Sequence, residues 1–395
     1  MLKAEVMLSI QLAFKNLLGA GLRTWLNATV LSFAFVVIVF FNGMLDGWNM
    51  QAIGDTKAWE IGSGQLWHPQ YDRYDPFTLQ DAHAPVTGEV RDMVESGQLA
   101  PVLITQASAY PGGRMINILL KGIGQNQKIL MLPSHIFTED SSDIPAIIGK
   151  RMAATAHLKK GDNVLIRWRD KNGTFDAREV TIAGIFDSNV PAIDNGQFWI
   201  PLQKLQEMTG MKGEATFLVS RVPLENKIVD PWVYKDEEFL LAELSAIMQQ
   251  KKGSSKIVYG LLLALALLAI FDTQVLSIFR RQKEIGTYIA LGMTRSQVVK
   301  IFTVEGSAHS ILALFLGAVY GIPFLAYLQK TGIPVPASTD DAGIAITESI
   351  IPLYSVGMIL STVLLVVISS TIVSYFPARR ISKMKPTDAL KGKIQ

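Results

Sequence analysis

The sequence predicts an α-helical membrane protein with four transmembrane helices and a large α+β domain inserted between helices 1 and 2. Four stretches are apolar over at least the roughly 20 residues that a helix needs to cross a bilayer. Residues 51–255, between the first and second stretches, instead alternate strand-like and helix-like patterns with turns. The composition, 49% hydrophobic with a net charge of +3, resembles that of soluble proteins, so the clustering of apolar residues decides the class.

The distribution of lysine and arginine predicts the orientation of these helices. The predicted membrane helices are residues 25–50, 256–279, 301–328 and 350–376. Basic residues are concentrated in segments 1–24, 280–300 and 377–395, whereas the loop 329–349 carries Asp340, Asp341 and Glu348. Because basic loops stay in the cytoplasm, both termini and segment 280–300 are expected there. Residues 1–24 then form a cytoplasmic amphipathic helix, and the domain at 51–255 and the loop 329–349 are extracytoplasmic.

Residues 51–255 are predicted to form one or two compact α+β units. Asn172 and Gly173 separate two alternating stretches, NVLIRWRD and FDAREVTIAGIFD, a pattern typical of a hairpin with a two-residue turn. Further strands are expected in PVLITQASAY, INILLKGI, GQFWIPL and ATFLVSRV, and helices in VTGEVRDMVES, KRMAATAHL, PLQKLQEMTG and EEFLLAELSAIMQQKK. Strands interleaved with short helices indicate an α+β fold in preference to a sandwich.

No catalytic, cofactor-binding or metal site is predicted in this domain. The motifs HExxH, GxSxG and GxxxxGK[ST] do not occur, and no metal-ligand spacing joins its histidines, His68, His83, His135 and His157. The stretch WHPQYDRYDPF is interpreted as a loop pinned by its aromatic side chains, in preference to a ligand patch, and these side chains are Trp67, Tyr71, Tyr74 and Phe77. The domain is therefore expected to bind and couple without performing a reaction.

The basic segment between the second and third apolar stretches carries a compact helical pattern. Ile285, Ile289 and Met293 repeat every four residues, which places them on one helical face. Gly292 is suited to end this helix, and Thr294 with Gln297 forms a capping box that begins the next one. We interpret the first helix as a docking helix for another protein, with Arg280, Arg281 and Lys283 at the lipid headgroups. The alternative is a basic anchor that only fixes the orientation.

Three ionisable residues fall within the predicted membrane helices. Asp272, Glu305 and His309 are candidates for function because charges within a span are costly. Glu305 and His309 are four residues apart and share a helical face. A packing or hinge role is favoured over a proton relay, since Asp272 and Glu305 lie toward the cytoplasmic ends of their helices.

At the basic segment the chain resembles a known family. KEIGTYIALGMTRSQVVKIFTVEG resembles a signature of the FtsX-like, or MacB and LolC/LolE type, ABC transporter permeases, R-E-I-(G/A)-x(4)-(L/M)-G-A-x(4)-(I/V)-x(3)-F-x(2)-(E/Q)-(A/G). The matches are Glu284, Ile285, Gly286, Gly292, Phe302 and Glu305. Three further stretches resemble family elements in the same order: LAFKNLLGAGLRTWL, IIGKRMAATAHLKKGDNVLI and FPARRISKMKPTDALKG. Lys283 stands in place of the usual arginine and Met293 in place of the usual alanine.

The resemblance implies a coupling helix and a set of partners. The residues expected to couple to an ATPase are Lys283, Glu284, Ile285, Gly286, Ile289, Gly292 and Arg295. Two copies of a separate ABC ATPase subunit would bind the ATP and Mg²⁺, so this chain is expected to hold no cofactor and not to be an enzyme. Further expected partners are a second copy of this chain or a related permease, membrane lipids, and a periplasmic chaperone or adaptor. No nucleic-acid partner is expected.

The resemblance also implies a function and a location. The domain between helices 1 and 2 would be a MacB-like periplasmic domain, on a multi-pass protein of the bacterial inner membrane. ATP hydrolysis would move that domain and extract lipoproteins or another amphiphile from the outer leaflet, as in the LolC/LolE branch. Candidate residues that line the path of the substrate are Phe40, Phe41, Met44 and Leu45. The alternatives are efflux of peptides or antibiotics with a periplasmic adaptor, and FtsX-like control of cell-wall hydrolases.

Overall fold

The structure, a computed structural model, describes residues 22–139, 143–224, 230–335 and 349–383. The predicted N-terminal amphipathic helix, most of the loop 329–349 and most of the tail 377–395 lie outside these residues. The chain divides into two compact units. The helical unit comprises Met1–Trp48, Met248–Ile333 and Ile351–Gln395, and the mixed unit comprises Asn49–Ile247 and Pro334–Ile350.

The described residues form the following elements. The α-helices are α1 Leu22–Thr56, α2 Gly88–Glu95, α3 Ile136–Glu139, α4 Lys150–Ala156, α5 Pro191–Asp194, α6 Leu202–Thr209, α7 Glu237–Leu240, α8 Ala242–Arg280, α9 Gln282–Ala290, α10 Arg295–Thr331 and α11 Val356–Arg379. The strands are β1 Gln65–Trp67, β2 Ala84–Pro85, β3 Leu99–Ala109, β4 Ile116–Ile123, β5 Pro145–Gly149, β6 Asn163–Arg169, β7 Phe175–Phe186, β8 Gln197–Pro201, β9 Glu214–Ala215, β10 Phe217–Ser220, β11 Val233–Lys235, β12 Ile333–Pro334 and β13 Ser349–Ile350.

Four of these helices, α1, α8, α10 and α11, are long and apolar enough to cross a membrane. They correspond to the four apolar stretches of the sequence. Helix α1 is the most buried of the four. In its most apolar 18-residue segment 56% is buried, against 28% for α8 and 17% each for α10 and α11. A cluster of buried side chains, including Leu31, Ile38, Leu263 and Val366, joins α1 to the other three helices.

Helices α10 and α11 pack through small residues. Helix α10 contributes Gly306 to this contact, whereas its glycines Gly317 and Gly321 pack against Val36 of α1. Helix α11 buries a residue every four positions from Thr362 to Ser374. A Cβ atom at Gly306 would lie 2.3 Å from Oγ and 2.4 Å from Cβ of Ser374, so the two backbones approach more closely than any larger residue permits. Small residues at such contacts are typical of helices that associate in membranes.

The mixed unit is built on one nine-stranded sheet of both parallel and antiparallel pairs. The strand order is β11-β1-β10-β3-β4-β8-β5-β7-β6, and β6 also pairs with β3. One edge of β3 pairs with β10 at Leu99–Val102 and with β6 at Ala107–Ala109. The strands β3-β4-β8-β5-β7-β6 therefore form a closed ring. The predicted mixture of strands and helices is therefore confirmed.

Both faces of this sheet are buried. Alternate residues along a strand point to opposite faces, so neighbouring residues belong to different cores. One core contains Leu103, Ile148 and Phe198. The other contains their chain neighbours Ile104, Ile147 and Trp199. The central strands consequently read as continuous apolar runs.

The predicted hairpin at Asn172 and Gly173 is present between β6 and β7. Arg169 pairs with Phe175, so the loop runs over five residues, Asp170–Thr174, and the predicted two-residue turn is wrong. Asp170 is the reason: its Oδ1 accepts hydrogen bonds from the backbone N–H of Asn172 at 2.9 Å and of Thr174 at 2.7 Å. This side chain stabilises a wider loop than the Asn-Gly pair alone indicates.

Candidate functional site

The candidate site is the short helix α9 and the helix ends around it. Gly292 follows α9 with φ +96°, in the left-handed region that glycine adopts without strain. The N–H of Gly292 donates to the carbonyl of Ile289 at 3.1 Å, and that of Met293 to the carbonyl of Tyr288 at 3.0 Å, which is a Schellman motif. Thr294 then caps α10 reciprocally with Gln297. The predicted order of helix, break and helix is confirmed.

The apolar face of α9 packs inward. Ile285 is fully buried, and Ile289 and Met293 are half-buried, against a cluster formed by the ends of α8, α10 and α11. That cluster consists of Ile278, Val298, Val299, Phe302, Ala378 and Ile381. Burying these side chains fixes α9 to its own chain, so a partner would have to meet another face of the helix.

The opposite side of α9 remains open. Lys283, Glu284, Thr287 and Ala290 are exposed, and Leu291 at the end of the helix is 78% exposed. A mostly polar helical face with one large apolar side chain at its end is a suitable docking surface for a groove on another protein. Of the predicted coupling residues, Gly286 is buried and Arg295 lies in the first turn of α10.

Arg281 connects α9 to α10 through a multidentate ion pair. Its Nη1 donates to both carboxylate oxygens of Glu305, at 2.8 Å each, and its Nε donates to Glu284 at 2.7 Å. Its guanidinium lies 4.9 Å from the centre of the Phe302 ring. Glu305 is only 6% exposed, so its charge depends on this partner.

This geometry corrects the expectation that Arg281 lies at the lipid headgroups. The side chain of Arg281 is 19% exposed because the planar guanidinium matches the carboxylate and stacks on an aromatic ring. Sequence reasoning selected Glu305 and Glu284 but missed Arg281. The only signal that the sequence offers is the residue type. That signal does not separate Arg281 from its neighbour Arg280, which is equally basic but exposed.

The two other polar candidates behave differently. His309 is buried and its Nδ1 bonds to the backbone carbonyl of Glu305 at 3.1 Å, a contact within α10. Near this turn the side-chain oxygens of Gln274, Ser370 and Ser374 are buried without a hydrogen-bond partner among the described residues. Asp272, in contrast, is exposed on α8.

Asp272 belongs to a long exposed stripe on α8. The members are Ile257, Leu261, Leu265, Leu268, Asp272, Leu276 and Phe279. Their spacing of 4, 4, 3, 4, 4 and 3 residues is an 11-residue repeat, close to three helical turns, which keeps these side chains on one side of the helix. Within the described chain nothing covers this stripe, and its apolar members are 42–69% exposed.

The predicted substrate-lining residues face the chain's own helices. Leu45 is 6% exposed, and Phe40, Phe41 and Met44 are half-buried. The Phe41 ring lies 6.2 Å from that of Tyr259, and the Phe40 ring 6.3 Å from that of Phe324. The role of these four residues as a substrate lining stays a prediction. The open apolar side chains of α1 are Trp25, Leu26, Val30, Phe33 and Met50.

In the mixed unit the aromatic loop is pinned as predicted. Trp67 meets Tyr71 edge-on at 4.9 Å, and Tyr71 stacks on Phe217 at 5.6 Å. The Tyr74 hydroxyl donates to Glu243 at 2.7 Å, whereas Phe77 points outward. Among the described residues no three histidine, aspartate or glutamate side chains come together as metal ligands.

Comparison with known proteins identifies the class of the chain. Residues 256–386 match the family described as "FtsX-like permease C-terminal", so this part of the chain is an FtsX-like permease domain. It includes α9, Arg281 and Glu305. The predicted resemblance to the FtsX-like and MacB-type permeases is thereby confirmed.

Individual relatives extend the similarity beyond that domain. The chain is 20% identical over 359 residues to the lipoprotein-releasing system transmembrane protein LolC of Xylella fastidiosa (strain Temecula1), covering 80% of this chain and 86% of the relative. It is 22% identical to LolC of Neisseria meningitidis serogroup B, covering 74% and 77%. The macrolide export ATP-binding/permease protein MacB of Wolinella succinogenes is 24% identical, covering 39% and 22%. The chain is thus similar to LolC proteins over most of its length and to MacB over part of it.

A solved structure also matches the fold in part. It is the extracellular domain of the noncanonic ABC-type transporter YknZ from Gram-positive bacteria, with 11% identity and a TM-score of 0.26, covering 41% of this chain and 84% of that domain. A TM-score at this level carries no argument about the present chain.

Proposed function

We propose that the chain is the membrane subunit of an ABC transporter, which converts ATP hydrolysis by a separate ATPase into movement of its mixed unit. The observation that carries the proposal is the construction of α9. Its apolar face and Arg281 fix it to α8, α10 and α11, while its polar face and Leu291 stay open. A helix held firmly on one side and open on the other transmits displacement without absorbing it.

Force would enter at the open face of α9 and pass into two membrane helices. Arg281 lies at the junction of α8 and α9 and holds Glu305 on α10. A push on α9 would therefore move α8 and α10 together. Helix α8 continues without a break from Arg280 back to Ala242, and its residues before Met248 belong to the mixed unit. ATP and Mg²⁺ would be bound by the two ATPase subunits.

The exposed apolar stripe of α8 supports a second permease subunit as partner. A stripe of large apolar side chains is stable in lipid, but a carboxylate at Asp272 in the middle of it is not. A neighbouring helix that covers the stripe removes Asp272 from the lipid. The partner would be a second copy of this chain or a related permease.

The substrate proposed is a lipoprotein or another amphiphile, extracted from the outer leaflet of the bacterial inner membrane. The similarity to two LolC proteins over most of both chains supports this substrate class. Acyl chains would contact the outer half of α1, where Phe40, Phe41 and Met44 are half-buried and retain exposed surface. Efflux with a periplasmic adaptor is the second candidate, supported by the similarity to MacB.

Replacing Leu291 with aspartate is expected to abolish substrate-stimulated ATP hydrolysis while the chain still folds and inserts. The side chain is 78% exposed, so the change costs little stability, but it puts a charge at the end of the docking surface. The measurement is ATPase activity of the complex, purified in lipid nanodiscs with the ATPase that copurifies. Ser296→Asp, an exposed position in the first turn of α10, is the matched control and should retain stimulation. Equal stimulation in both variants would refute the docking role.

The proposed orientation can be tested with cysteines, since the chain contains none. Gly173→Cys, in the β6–β7 loop, is expected to react with an impermeant maleimide in intact spheroplasts. Leu291→Cys should react only after the membrane is opened. The reverse pattern would overturn the proposed topology.

A further inference from the structure

Lys121 is a buried lysine in the middle of the central sheet. It lies on β4, in register with Ile104 on β3 and with Trp199 on β8. Both neighbours belong to the second core of the mixed unit, so the Lys121 side chain lies among apolar groups and is only 7% exposed. Lysine is almost never buried without a partner, because an ammonium ion loses its hydration there.

The described residues supply no counter-ion to this ammonium group. No acceptor among them lies within hydrogen-bond distance of Lys121 Nζ, which is 5.0 Å from the centre of the Trp199 ring. The nearby carboxylate of Glu60 is taken by Arg73, at 3.3 Å. The indole N–H of Trp199 is also buried without a partner.

A small, partly open cavity lies beside these groups. Its volume is about 30 Å³, and its polar lining is Glu60, Gln65, Tyr71, Arg73, Lys121 and Trp199. A volume of this order accommodates a single water molecule or a monatomic ion, and no larger polyatomic group. The lining carries two cations, Lys121 and Arg73, against one carboxylate, Glu60. The cavity therefore has an excess positive charge and unpaired donors.

We propose that this cavity binds one monovalent anion of halide size, chloride under ordinary conditions, with Lys121 as its principal ligand. The anion balances the positive charge that Glu60 leaves uncompensated. It also gives the Lys121 ammonium group a counter-ion. The face of the Trp199 ring contributes a cation–π contact to Lys121 but cannot replace a counter-ion. This inference concerns the mixed unit and does not depend on the proposed transport function.

The protonation of Lys121 is consistent with such a ligand. Burial lowers its pKa to about 8, with Glu60 acting to raise it and Arg73 to lower it further. At neutral pH the lysine is therefore still charged and able to hold an anion. Chloride binding should weaken as the pH rises above this value, because the neutral amine no longer attracts the ion.

The test uses the full-length chain in nanodiscs of zwitterionic lipid. The unfolding midpoint of the mixed unit is followed at constant ionic strength and pH 7, while sodium gluconate is exchanged for sodium chloride or sodium bromide. The midpoint is expected to rise with the logarithm of the halide concentration, since a ligand that binds only the folded state stabilises it. Gluconate and sulfate, which exceed the cavity, should have no such effect.

Two variants separate the site from general salt effects. Lys121→Met is expected to fold, because it replaces a buried charge with an apolar side chain of similar length, and to lose the halide dependence. Lys235→Met removes a lysine that lies 4.2 Å from the Phe239 ring in the same unit, and it should keep the dependence. Identical halide dependence in all three proteins would overturn the proposal.

Crystals grown in bromide provide a second measurement that does not depend on either variant. An anomalous peak within hydrogen-bond distance of Lys121 Nζ is the expected result. Density there without anomalous signal would show an ordered water only, and would refute the anion site.

Discussion

Replacing Arg281 with alanine is expected to uncouple ATP hydrolysis from movement of the permease and to destabilise its helical unit. The change leaves the carboxylate of Glu305 buried and unpaired, at a cost of about 3–5 kcal/mol. It also removes the connection between α9 and α10. The measurements are the unfolding midpoint in nanodiscs and the ratio of substrate-stimulated to basal ATPase activity, which we expect to fall to about one.

Arg280 supplies the matched control for this prediction. It is adjacent, carries the same side chain and is exposed, so Arg280→Ala should change the stability by no more than about 0.5 kcal/mol and preserve stimulation. The double change Arg281→Glu with Glu305→Arg restores the charge pair and should recover part of both properties. Indistinguishable behaviour of the Arg280 and Arg281 variants would remove the ion pair from the mechanism.

Adding a single methyl group at Gly306 is expected to separate α10 from α11. The Cβ atom of Gly306→Ala would lie 2.4 Å from Cβ of Ser374, an atom that no change of rotamer can move away. The helices must shift, and overpacking of this kind costs about 1–3 kcal/mol. The same shift would displace the preceding residue, Glu305, from Arg281. Thermal unfolding monitored by circular dichroism measures the first effect.

The controls for this prediction are glycines in the same kind of helix. Gly260 on α8 and Gly357 on α11 have no atom within 4 Å of an added Cβ. Gly260→Ala and Gly357→Ala should therefore be neutral or stabilising by up to about 1 kcal/mol, since alanine favours the helix. A Gly306 variant as stable as these two would contradict the close approach seen in the structure.

Much of the architecture follows from local patterns that the sequence displays directly. Apolar runs of sufficient length become helices wherever they are placed, because their backbone groups bond within the segment. The break after α9 is equally local: glycine tolerates the left-handed conformation at Gly292, and Thr294 and Gln297 cap each other within one turn. Both features were predictable because every partner lies within a few residues in the chain.

The direction in which each face points was not predictable in this way. The apolar face of α9 has the same pattern whether it meets an ATPase or the ends of α10 and α11. Phe41 has the same hydrophobicity whether it faces a substrate or Tyr259. The periodicity of apolar residues shows that a helical face is buried, but it does not show which element or partner covers that face.

The sequence by itself determined the four apolar helices, the mixed unit between the first two, and the capped break at α9, since each depends on residues close together in the chain. Tertiary structure alone decided that Arg281 pairs with Glu305, 24 residues away, and that Lys121 lies in a cavity beside Trp199. Such contacts join residues remote in sequence. Their strength comes from burial, which lowers the local dielectric and which no local pattern reveals.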